Sequence, residues 1–96
     1  MKKGYIIGQI TITDPKKYQR YALESESIIK KFGGRYLVRG GTQIIAEGVP
    51  QGNRDVVVEF DTIEKAKEFY NSQEYAEIIE FRKENSIGYI LLVEGY

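Results

Sequence analysis

Any chemistry in this chain has to be done without cysteine, histidine or tryptophan, none of which occurs among its 96 residues. That removes the thiol nucleophile, the imidazole base, the usual zinc sites and the histidine haem ligand. Carboxylates, guanidiniums and phenols are left, the last in unusual number, with eight tyrosines beside four phenylalanines. Asp14 and Glu59 are the carboxylates placed to move a proton. Asp14 precedes Pro15 at a helix start, where a capping role accounts for it completely. Glu59 lies among Val57, Val58 and Phe60, so it must be paired, hydrogen-bonded or protonated. An arginine partner at an interface and a catalytic role both satisfy that demand.

Tyr18 and Tyr21, three residues apart, share a helix face. They either pack there with their hydroxyls toward water or hydrogen-bond a ligand above a sheet. Arg35 and Arg39 fall on one parity of a short strand bracketed by Gly33-Gly34 and Gly40-Gly41. Two guanidiniums so placed can grip a carboxylate or phosphate, or serve as a charged edge or half of an ion pair. Arg82 continues the helical stripe of Tyr75, Ile78 and Ile79, pointing into a cavity or snorkelling to its rim. The expectation is that Tyr18, Arg39, Tyr70 and Arg82, with Tyr21 and Tyr75 beside them, line one cleft for an anionic or phenolic small molecule. No metal ligand set and no cofactor is expected.

The elements that must position these residues read in the order β-α-β-β-α-β. Tyr5 to Ile12 is a β-rich run closed by Thr13-Asp14-Pro15. A helix follows with Tyr18, Ala22, Ile29 and Phe32 near one face, and Gly33-Gly34 ends it. Arg35 to Arg39 is a short strand, and Thr42 to Glu47 is expected to continue extended beyond the glycine pair. After a turn-rich loop, Asp55 to Phe60 is a third strand. Asp61 or Thr62 caps a helix whose buried face is Ile63, Ala66, Phe69 and Tyr70. Ser72 caps a further helix over about Gln73 to Glu84, and Ser86 to Glu94 is the last strand. The order is the split βαβ, or ferredoxin-like, arrangement of the α+β class, with a four-stranded antiparallel sheet in one domain over residues 1–96.

Two helices cover one face of such a sheet, yet both faces are apolar. In the first strand Ile6, Ile10 and Ile12 oppose Tyr5 and Ile7; in the third Val56, Val58 and Phe60 oppose Val57; in the last Ile90 and Leu92 oppose Tyr89, Leu91 and Val93. A face this apolar exceeds what soluble monomers leave in water, and a second copy packed across a two-fold axis is the simplest cover. A homodimer is therefore the expected partner arrangement. Lys and Arg number 14 against 14 Asp and Glu, giving zero net charge, which argues against nucleic acid. The third strand also lacks the stacking rings of an RNA-recognition module. No apolar run approaches the roughly 18 residues of a membrane span, and a cytoplasmic location is the default expectation.

Several motifs converge on one family. They include Gly4-Tyr5-Ile6, Asp14-Pro15 with Tyr18 and Tyr21, and Gly33-Gly34-Arg35-Tyr36-Leu37-Val38-Arg39-Gly40-Gly41. The second half adds Glu47-Gly48, Val57-Val58-Glu59-Phe60, Phe69-Tyr70-Asn71-Ser72, Glu74-Tyr75, Arg82 and Val93-Glu94-Gly95. Together they resemble the domain of unknown function 1330 family, within the dimeric α/β-barrel superfamily. The sequence departs from the family pattern at Phe69-Tyr70, where Trp-Tyr is usual, and at Ser72-Gln73-Glu74-Tyr75, where Ser-Pro-Glu-Tyr is usual. The resemblance implies the ferredoxin-like fold with two sheets packed as a dimeric barrel. It implies no reaction, because the superfamily spans cofactor-free monooxygenases, isomerases, dehydratases and haem-handling proteins. Three readings stand together at this point. One is a cofactor-independent enzyme acting on a small organic molecule. The others are a non-catalytic ligand-binding or regulatory dimer, and a structural or interaction protein without a pocket.

Overall fold

The computed structural model describes all 96 residues. Its first strand, β1 (Gly4–Ile12), runs through isoleucines at alternate positions and stops at Thr13-Asp14. Helix α1 (Pro15–Lys31) starts where the Asp14 carboxylate accepts from the Lys17 amide at 3.2 Å. It ends at Gly33, whose φ of 82° suits a residue without a Cβ. Then come β2 (Arg35–Arg39), β3 (Arg54–Phe60), α2 (Ile63–Tyr70), α3 (Gln73–Ala76), α4 (Ile79–Glu84) and β4 (Ser86–Glu94). Thr62, rather than Asp61, caps α2 through its Oγ1, and Ser72 caps α3. The segment expected as one helix over 73–84 is two short pieces. They join at Ile78, a buried residue that supplies no side-chain cap.

The strands form one antiparallel sheet in the order β2-β3-β1-β4, with the helices on one face. The result is a slab 32 × 31 × 16 Å. Between the layers lies a core of Ile6, Ile29, Val58, Phe60, Ala66, Phe69, Tyr75 and Ile78. Phe60 and Phe69 stack at 5.6 Å between ring centroids, which ties β3 to α2. No helix is long and apolar enough to cross a membrane.

Two expectations are corrected here. Thr42–Glu47, expected to continue extended, joins no strand; Gln43 instead turns back onto the start of β3, its Nε2 donating to the Gly52 carbonyl at 3.2 Å and to Asp55 Oδ2 at 2.8 Å. Arg35 and Arg39 do not share a face. The pairing of β2 with β3 shifts between Tyr36 and Val38, leaving Leu37 as an extra residue in the strand. One inserted residue reverses the alternation. Arg35 and Val38 therefore lie on the open face, while Tyr36 and Arg39 lie on the face beneath the helices.

Phe60 is fully buried, so Phe60→Ala should cost about 3–5 kcal/mol of unfolding free energy in a urea titration. Leu92→Ala, half-buried at the margin of the core, should cost nearer ~2 kcal/mol. Equal costs would contradict this placement of the core.

Candidate functional site

Between α1 and the sheet is a partly open cleft of about 50 Å³. Its floor is Ile6, Gly8 and Ile10 of β1, Val56 and Val58 of β3, and Ile90 of β4. Gly8 pairs with Val56 on one side and Ile90 on the other. Where its neighbours in the alternation are isoleucines, Gly8 has no side chain, and Ile90 Cδ1 lies 2.9 Å from where a Cβ would stand. The wall on α1 is Tyr18, Tyr21, Ala22, Ser25 and Ile29, the i, i+3, i+4, i+7 and i+11 positions of one stripe. Phe69 and Tyr70 of α2, Tyr75 of α3 and Arg82 of α4 close the far side. Tyr36, Arg39 and Arg54 stand at the β2–β3 side.

The aromatic wall is continuous. Ring centroids lie 5.3 Å apart for Tyr18 and Tyr21, 6.1 Å for Tyr21 and Tyr75, and 5.5 Å for Tyr70 and Tyr75. The Tyr21 and Tyr75 hydroxyls meet at 2.6 Å, and Arg82 Nε donates to the Tyr75 hydroxyl at 3.2 Å. Burial raises the Tyr18 pKa above the ordinary phenol value, against the pull of Arg54 and Arg82. Burial pushes Tyr21 well above it, and the Tyr75 hydroxyl adds to the effect. Both phenols therefore stay protonated at neutral pH and offer hydrogen-bond donors rather than bases.

The three arginines differ in their partners. Arg39 lies over the Tyr36 ring at 4.3 Å, donates to Glu26 at 2.9 Å and to the Ala22 carbonyl at 2.9 Å. Arg82 is 9% exposed and meets no carboxylate. Arg54 also forms no ion pair, its Nε is buried without a partner, and its guanidinium carbon sits 5.9 Å from the centre of the Tyr18 ring. Gly40, at a φ of 67°, makes room for it, since a methyl group there would run into Arg54 Nη1.

Tyr18, Tyr21, Arg39, Tyr70, Tyr75 and Arg82 thus come together around one cleft. Asp14 and Glu59 do not join them. Asp14 is occupied at the start of α1. Glu59 lies on the open face of the sheet, accepting from the Tyr5 hydroxyl at 2.9 Å and from Arg35 Nε at 2.7 Å. Sequence reasoning missed Arg54 and Tyr36. Arg54 opens β3, one residue before the expected start of that strand, and its parity with Val56 and Val58 carries the signal.

A ferredoxin-like sheet under a single helix layer, holding a tyrosine- and arginine-lined cleft, defines the class: a small α+β protein with the ferredoxin-like fold. The chain belongs to the family described as domain of unknown function DUF1330, whose model matches residues 3–96. Among solved structures it is similar to RPA0582, a protein of unknown function from Rhodopseudomonas palustris. The two are 12% identical with a TM-score of 0.73, over 97% of this chain and 80% of that one. Against the methylated RPA0582 protein the identity is 11% and the TM-score 0.74, over 99% and 82% of the two chains. At such identities the likeness carries the fold alone. No curated protein matches the chain.

The Tyr5 hydroxyl, and then Arg35, hold the Glu59 carboxyl below the usual carboxylate range. Its folded pKa is thus lower than its unfolded value of about 4.3. The stabilisation is present above that value and is lost as pH falls through the folded one. Urea midpoints measured from neutral pH to about pH 3 should therefore drop more for the wild type than for Glu59→Gln. Parallel acid profiles would contradict the pairing.

Proposed function

We propose that this protein is a homodimer that binds a small organic molecule, anionic or phenolic, in the tyrosine- and arginine-lined cleft of each protomer. One observation carries the reading: Arg54 and Arg82 border a largely apolar cleft without any carboxylate opposite them. A guanidinium removed from water without a counter-charge is costly, and a bound anion would offset that cost. The phenols held in their neutral form add donors to the same target. No carboxylate lines the cleft, so binding is better supported than acid–base catalysis through Asp14 or Glu59. At about 50 Å³ the cleft is below the ~300 Å³ of ordinary small-molecule sites. It suits a ligand of few heavy atoms unless a tyrosine ring swings aside.

The dimer rests on the open face of the sheet. Ile7, Val57 and Leu91 lie in register across three strands, flanked by Val38 and Val93. Leu91 is 48% exposed and Val93 39%. A second sheet laid on this face would take those side chains out of water.

Thermal denaturation with a panel of small acids and phenols tests the binding. At least one should raise Tm by several degrees, because a ligand selective for the native state stabilises it. Arg82→Met should remove that shift while leaving the unliganded protein at least as stable, since an apolar stem replaces an uncompensated buried charge. A panel without effect on the wild type would contradict the binding reading. For the dimer, Leu91→Asp should give aggregated or unfolded chain, and a soluble folded monomer by light scattering would contradict the paired sheets.

A further inference from the structure

The charges on the cleft wall do not balance, and their sum describes the occupant. Arg39 is already matched by Glu26 at 2.9 Å. Arg54 forms no ion pair, and its Nε has no partner of any kind. Arg82, nine-tenths buried on the opposite side, has only the Tyr75 hydroxyl on its Nε. The lining contains no aspartate or glutamate. Two positive charges therefore face one small space with nothing of opposite sign inside it. Tyr18 lines the same space, with the Arg54 guanidinium carbon 5.9 Å from its ring centre and Arg82 on the same cleft.

We propose that the ligand of this cleft is a compact dianion, bridging Arg54 and Arg82 with Tyr18 between them; this deepens the binding reading above and rests on it. A monoanion would leave one guanidinium as poorly compensated as before. A dianion gives each a charge-assisted partner, including the orphaned Arg54 Nε. The space of about 50 Å³ favours few heavy atoms. A short dicarboxylate and a phosphate-type oxyanion share this chemistry, and separate probes distinguish them. Gly40 belongs to the same arrangement, because only a residue without a side chain lets the Arg54 guanidinium lie where it does.

Calorimetric titration of the full chain at low salt with malonate, inorganic phosphate, acetate and phenol tests this, on the wild type, Arg54→Met and Arg82→Met. At least one of malonate and phosphate should bind the wild type about tenfold or more tighter than acetate, and whichever does names the source. Either variant should bring the preferred dianion to within about threefold of acetate, as each leaves a single uncompensated arginine. The wild-type comparison stands even if a variant fails to fold. Acetate binding as tightly as both dianions would overturn the proposal and leave the anion reading in place. Dianion affinity unmoved by both folded variants would also overturn it. Phenol binding alone would overturn it while leaving the phenolic half of the broader reading, and no binding by any probe would overturn both.

Discussion

A guanidinium buried among phenols, with no carboxylate opposite, is the constraint around which the helix layer of this protein is arranged. Arg82 reaches the cleft from α4, and its Nε is held by Tyr75 from α3, whose hydroxyl in turn meets Tyr21 of α1. Three helices are thus joined through one polar chain inside an otherwise apolar layer. Such a chain stabilises less than leucine packing would, because the charge has been taken out of water without a counter-ion. A fold shaped only for stability would use apolar side chains there. Retaining the arginine makes sense where something binds to it.

The sheet contributes the other half of the arrangement through small deviations from regularity. The extra residue at Leu37 turns Arg39 to the inner face that Tyr36 shares while Arg35 stays on the open face, so the two arginines of β2 serve different faces. Outside, Arg35 completes a network with Glu59 and Tyr5 that sits beside the apolar row of Ile7, Val57 and Leu91. Inside, the missing side chains let Ile90 lean over Gly8 in the floor and the Arg54 guanidinium lie against Gly40 at the rim. Ordered polar pairs on the open face suit burial against a second sheet, since an unsatisfied polar group there would oppose association.

Most of the element order was legible because its signals are local. Asp14, Thr62 and Ser72 each cap an amide three residues on, and Gly33 provides the left-handed turn after α1. The convergence of Tyr18, Tyr70 and Arg82 could be anticipated because the split βαβ order brings both helical segments over one face. What escaped was non-local. A bulge is decided by how two strands register, so the side on which Arg39 emerges could not be read from β2 alone. Thr42–Glu47 has strand-like residues, but Gln43 is held by side-chain bonds to Gly52 and Asp55 and the segment pairs with no strand. The break at Ile78 carries no capping residue to announce it. Arg54 was hidden by its turn-rich neighbours, although two-residue alternation with Val56 and Val58 placed it inward.

The central claim is that Arg54 and Arg82 wait for an anion, and their own Nε–H signals report it most directly. In nitrogen-15 spectra of the full protein, both signals should move progressively as malonate or phosphate is added. The Nε–H of Arg20, exposed on α1 and already paired with Glu24, should stay in place as the internal control. Movement of Arg54 and Arg82 with Arg20 unchanged is the result this account predicts. Stationary Arg54 and Arg82 signals up to saturating anion, or shifts equal to that of Arg20, would contradict it.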